Sequence, residues 1–205
     1  ALVNAIYMKA DWVNKFEKEG TYKETFTDIN GDESEIDFMH QAADFKYYEN
    51  GDTKAVKLPY ENGLSMVVVL GDTKNILNDI HNGKMTSKLV DVSLPKFKAE
   101  YSIDYVNILK NMGIEKAFDN QNADFSLMLE NYPERIKIDS VLQKAMMDVD
   151  EKGTEAAAAT VAVLTKSALS VDEEVIEFRA DKPFTYYILD DSGNVYFAGR
   201  YVKAE

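Results

Sequence analysis

A chain of 205 residues with 45% hydrophobic and 11% aromatic content can bury a sizeable core as one large domain or two small ones, which excludes a disordered chain. Its 36 acidic against 23 basic residues leave a formal charge of −13, with the acids scattered, so a phosphate backbone is a poor partner and no nucleic acid is expected. Without cysteine there is neither a disulfide framework nor thiolate chemistry, and no apolar run approaches the roughly 20 residues of a membrane span.

The chain opens with "ALVNAIYMKADW", where Leu2, Val3, Ile6, Tyr7, Met8 and Trp12 read as the middle of a buried strand. No strand-start signal and no signal-peptide layout precede them, so further sequence, with any export signal, is expected upstream. Strands follow through "TYKETFTD", "ESEIDFMHQ", "FKYYEN", "KAVKLPYE" and "LSMVVVLG", punctuated by Asn30-Gly31, Asn50-Gly51 and Asn62-Gly63, dipeptides that suit hairpin turns. A helical interval is predicted from Lys74 to Lys88, because Ile76, Leu77 and Ile80 fall at helical spacing and Asn82-Gly83 offers a stop. In "KLVDVSLPKFKAEYSI" the alternation of Val90, Val92 and Leu94 predicts a strand, with Pro95 marking an edge or a bulge. Asp104 is placed to cap a short helix carrying Val106, Ile108, Leu109 and Met112 and stopped at Gly113. After a loop-rich stretch comes "RIKIDSVLQKAMMDVDEKG". The tail "EVIEFRADKPFTYYILDDSGNVYFAGRYV" reads as three strands, with Asp191-Ser192-Gly193-Asn194 as its last turn. These elements predict an α+β protein dominated by sheet.

Catalytic chemistry has no visible home. His40 and His81 lie on separate elements, outside any metal-ligand spacing, and read as surface or packing residues; no metal site is expected. "DINGDESE" alternates Asp28, Asn30 and Asp32 like a calcium loop, but its glycine, Gly31, comes one place early and Met39 stands where the closing carboxylate belongs. A solvated hairpin turn is the better reading. Phosphate-binding glycine loops and a nucleophile elbow are absent.

One segment resists assignment. "EKGTEAAAATVAVLTKSALS", residues 151–170, is rich in the strongest helix former, yet it opens on Gly153, runs into β-branched Thr160 and Val161 and builds no apolar stripe. Taken in order, "LVNAIYMKADW", "AVKLPYENGLSMVVVL", "VSLPKFKAEY", "GIEKAFDNQNADFS", "VLQKAMMDVDEKGTEAAAAT" and "KPFTYYILDDSGNVYFAGR" resemble the serpin family of protease inhibitors. The likeness covers essentially the whole chain but only about the C-terminal half of the family's fold.

The resemblance implies a serpin-like α+β fold with several sheets, a large central sheet and a mobile reactive-centre loop at about residues 151–175. Residues 1–205 would be the C-terminal part of a single domain, the N-terminal helical part being absent. It implies a serine protease inhibitor rather than an enzyme: a secreted suicide substrate, extracellular or at the cell surface, working without a cofactor. Its cleaved loop inserts as a strand between "LVNAIYMKAD" and "DSVLQKAMMDVDE" and traps the protease as an acyl-enzyme. The implied hinge is Glu151, Gly153, Thr154, Glu155, Ala156, Ala157, Ala158, Ala159 and Thr160. Counting from Gly153 as the family does puts the scissile bond at Ser167–Ala168, which suits elastase-like or subtilisin-like proteases; a loop shorter by one puts it at Lys166–Ser167, which suits trypsin-like ones. Supporting positions are Trp12, packed where insertion begins, Lys96 and Glu151 as an exposed pair, Asn4 as a buried polar residue, and Gln143 where many relatives have histidine. A separate N-terminal fragment is expected as a partner beside the target protease.

The residues fit such a switch on their own terms. Period-two alternation puts Thr154, Ala156, Ala158, Thr160, Ala162 and Leu164 on one face, small enough to meet a packed layer, and Glu155 alone carries charge on the other. Non-inhibitory relatives that bind or store tend to carry charged or bulky residues in this hinge. A new strand paired on both sides could gain ten or more hydrogen bonds at roughly 1 kcal/mol each, comparable with the ~5–15 kcal/mol of a whole domain.

Overall fold

The computed structural model describes residues 1–128, 136–154 and 174–204. In chain order its elements are β1 (Leu2–Tyr7), β2 (Ala10–Asp11), β3 (Tyr22–Thr27), β4 (Glu33–Asn50), β5 (Thr53–Pro59), β6 (Leu64–Leu70), α1 (Ile76–His81), β7 (Thr86–Pro95), β8 (Phe97–Asp104), α2 (Val106–Asn111), β9 (Val141–Asp150), β10 (Gly153–Thr154), β11 (Ile176–Arg179), β12 (Phe184–Asp190) and β13 (Val195–Tyr201). This is an α+β fold dominated by sheet. The chain forms two compact units, Lys9–Lys98 with Asp148–Glu205, and Ala1–Met8 with Ala99–Met147.

The larger unit is built on an eight-stranded sheet among the described residues, ordered β11-β7-β4-β5-β6-β12-β13 with β3 beside β4. Strand β4 joins what the sequence pattern divides into "ESEIDFMHQ" and "FKYYEN". It stays extended through Ala42, Ala43 and Asp44 because β7 pairs with it continuously from Phe38 to Tyr47, while β3 and β5 flank its two ends. Ladder pairing thus overrides a locally weak propensity. Strand β6 is buried from Ser65 to Leu70, and Met66 to Leu70 is an unbroken apolar run covered on both faces. Tyr48, Ala55, Val67, Val69, Ile76, Met85 and Leu189 form one buried cluster, and Phe97 meets Phe184, Tyr186 and Tyr201 in an aromatic one.

Helix α1 is shorter than the predicted Lys74–Lys88. It ends at His81, where the Gly83 amide closes on the Ile80 carbonyl and Gly83 takes a positive φ of 71°, and Thr86 already belongs to β7. Pro95 is the last residue of β7. Its missing donor costs nothing on the β11 side, because β11 pairs no further than Ser93. The turn after β3 forms as expected: Asp28 Oδ1 accepts the Asn30 and Asp32 amides at 2.7 and 3.0 Å, although Asp28 itself is buried rather than solvated.

In the smaller unit β1 and β9 run parallel, from Leu2 opposite Val141 to Tyr7 opposite Met146, and β8 also pairs with β9. Tyr105, not Asp104, is the N-cap residue of α2; Asp104 stands one place earlier and supports the helix start, its carboxylate accepting the Val106 amide at 3.0 Å and the Val141 amide at 3.1 Å. The expectation of a buried first strand is corrected. Leu2 and Val3 are 54% and 72% exposed, and Tyr101, Leu142 and Met146 are exposed too, because the described residues of this unit lay little over these strands.

Candidate loop-insertion site

The candidate site lies in the larger unit, where β9 ends and the Ala-rich segment begins. Asp150 turns the chain by accepting the Lys152 and Gly153 amides on its own carboxylate at 2.9 and 3.2 Å. The next two residues are already strand. Gly153 pairs with Asp150 on one side and Asp11 on the other, and Thr154 pairs likewise with Val149 and Ala10, antiparallel to both neighbours. Glycine is required at 153 for two reasons: φ is +154°, and a Cβ there would overlap the Ala10 carbonyl oxygen.

Trp12 closes this seat. Its backbone amide donates to Lys152 O at 2.8 Å, its indole N–H donates to Asp150 O at 2.9 Å, and its ring stacks on Tyr60 at 4.2 Å and 11°. The Tyr60 hydroxyl lies 2.9 Å from Thr154 Oγ1, with both side chains buried. Burial pushes the Tyr60 phenol pKa up, so it stays protonated. Lys96 Nζ meets Glu151 at 3.1 Å, and the Phe16 amide donates to the Glu151 carbonyl at 2.8 Å. The expected exposed pair is half wrong: Lys96 is partly exposed, but the Glu151 side chain is only 7% exposed. The sequence misses this because Phe16, in the stretch that follows β2, and Lys96, between β7 and β8, reach Glu151 from distant parts of the chain.

In the smaller unit, Asn4 and Gln143 stand directly opposite each other across β1 and β9. Asn4 is exposed, not buried as expected, for the same reason that Leu2 and Val3 are. Glu155, Ala156, Ala157, Ala158, Ala159 and Thr160 of the implied hinge, and Lys166, Ser167 and Ala168 of the implied reactive bond, lie outside the described residues. Tyr60 and Phe16 were not singled out from the sequence. Tyr60 had one available signal, its position just before the Asn62-Gly63 turn in "LPYENG".

A second polar cluster surrounds His40. Its Nδ1 lies 2.9 Å from Gly20 O, its Nε2 3.1 Å from Ser93 Oγ and 3.3 Å from Glu24, and its ring stacks on Tyr22. Hydroxyl and carboxylate meet the same nitrogen, so no relay from serine through histidine to acid exists here. Glu24 also holds Arg179 at 2.7 Å, which ties β3 to β11.

Comparison with known proteins agrees with this geometry. The family described as serpin, serine protease inhibitor, matches residues 1–204. A serpin-like protein of Thermococcus kodakarensis is 37% identical over 97% of this chain and 48% of its own length. Human leukocyte elastase inhibitor is 35% identical over 98% of this chain and 57% of its own. Tengpin, a thermophilic serpin solved in its native state, superposes with a TM-score of 0.82 at 29% identity, covering 98% of this chain and 55% of that one. The chain therefore spans about half the length of the relatives it matches. On a match from end to end, carried by a double-sided strand seat where the likeness places the hinge, the chain belongs to the serpin family.

Proposed function

We propose that this chain is the loop-bearing, C-terminal part of an inhibitory serpin. A target serine protease cuts Ser167–Ala168, or Lys166–Ser167 in the alternative register, and is held as an acyl-enzyme while the hinge enters the sheet. The observation that carries this reading is the pairing of Gly153 and Thr154 on both sides, which makes the first residues of the segment a strand already.

Register supports the same reading. In the proposed inserted state, the antiparallel pairing carried forward from Thr154 would bring residue 157 against Tyr7 and Met146, which now pair with each other, and in step residue 162 against Leu2 and Val141. The slot is closed, so insertion first breaks the β1–β9 ladder and then forms two ladders in its place. The net gain is about one ladder, on the order of 5 kcal/mol at roughly 1 kcal/mol per bond. This is smaller than a count that treats the slot as open, yet it is a large fraction of a domain's stability.

The partner proposed for the bare β1 and β9 surfaces is a separate N-terminal polypeptide of the same serpin, encountering the protease outside the cell or at its surface. The test is incubation with elastase-like, subtilisin-like and trypsin-like proteases. A detergent-stable conjugate is expected, with the new terminus found by mass spectrometry at Ala168 or Ser167; Thr154→Arg should retain cleavage and lose the conjugate. Cleavage without conjugate in the unmodified protein would instead indicate a non-inhibitory binding or storage member of the family.

A further inference from the structure

We propose that Tyr60 is the positioning residue that reads the hydroxyl at position 154 and thereby fixes the register in which the loop starts its strand. This rests on the insertion reading above.

The Tyr60 hydroxyl is a fixed point. The Tyr60 backbone amide donates to Leu64 O at 2.9 Å, the residue bridges to Trp12, and the ring is clamped against the indole. Thr154 is fully buried, its backbone is paired to both neighbours, and its β-branched side chain has few ways to point. The 2.9 Å contact therefore joins two groups that have no water to turn to, and removing either hydroxyl leaves the other unpaired.

The contact is also specific to register. A slip of one residue turns every following side chain to the opposite face and takes the hydroxyl away from Tyr60. From 155 to 159 the chain reads Glu-Ala-Ala-Ala-Ala, so no small slip brings another hydroxyl to the same place. Gly153 already demands a residue without a Cβ at its own seat; one residue further in, backbone pairing alone does not discriminate among alanines, and the Tyr60–Thr154 hydroxyl contact does.

A double-mutant cycle in the full chain, kept with any polypeptide it purifies with, tests this through Tyr60→Phe, Thr154→Val and Thr154→Ser. Amide exchange at Gly153 and Thr154 is read without any protease, and the stoichiometry of inhibition is read separately from the association rate. Tyr60→Phe and Thr154→Val should each speed exchange about tenfold, with no further gain when combined, while Thr154→Ser keeps most of the protection. Stoichiometry should rise in the same two variants at unchanged association rate. Additive effects, or exchange equal to the parent in Tyr60→Phe, would overturn the proposal even where conjugates form. If no protease gives a conjugate, the inhibitory reading fails while the exchange cycle still decides the role of Tyr60.

Discussion

Glu151 brings burial and charge together. Burial alone would raise the pKa of its carboxyl, but its own backbone N–H and the Lys96 ammonium outweigh that and hold it below the ordinary 4.5. A depressed folded-state value contributes stability that is fully present above the unfolded pKa and is lost as pH falls through the folded one. Urea midpoints should therefore drop below about pH 4.5 more steeply in the parent than in Glu151→Gln, and Lys96→Met should cost about 1–3 kcal/mol at neutral pH by leaving a buried carboxylate without its counter-ion. Superimposable acid limbs would contradict this. The likeness to the family made this pair legible. Its burial was not, because 55 residues separate the partners and nothing in either segment reveals what covers them.

At the scale of elements, period-two alternation found nearly every strand of the larger unit, and its errors have physical causes. The gap the sequence leaves inside β4 reflects Ala42, Ala43 and Asp44, poor strand formers held extended by their ladder with β7. The excess length given to α1 ran past Asn82-Gly83, although Gly83 is a working stop and Thr86 already belongs to β7. Strand β6 is the plainest case: its run of valines reads as a strand, and Val67 and Val68 are completely buried. Val68→Ala, which removes two methyl-sized groups from a filled interior, should lower unfolding free energy by about 2–3 kcal/mol in denaturant titration. A change under about 0.5 kcal/mol would mean that β6 is less tightly enclosed than described.

For the whole molecule, the first strand is the instructive departure. Its residues are those of a buried strand, and the segment is a strand, but Val3 is 72% exposed. Sequence patterning reports what a strand is suited to and cannot say whether the covering layer belongs to the same polypeptide. If a separate N-terminal polypeptide covers β1, Val3→Asp should leave the melting of this chain alone nearly unchanged and weaken the association at least tenfold in a pull-down titration. Undiminished association would show that β1 is not the covered surface. The start of the Ala-rich segment at Gly153 was legible, whereas the closed β1–β9 ladder was not, since only paired registers disclose that the proposed insertion would break one ladder to form two.

The central claim is that the Ala-rich segment is more stable between β1 and β9 than outside them. Nicking the loop near Ser167 in the assembled protein and following thermal unfolding tests it most directly. A net gain on the order of 5 kcal/mol should raise the midpoint by roughly 10–20 °C for a chain of this size and increase the strand signal in circular dichroism. A nicked protein that melts where the intact one does, with its strand signal unchanged, would contradict the account.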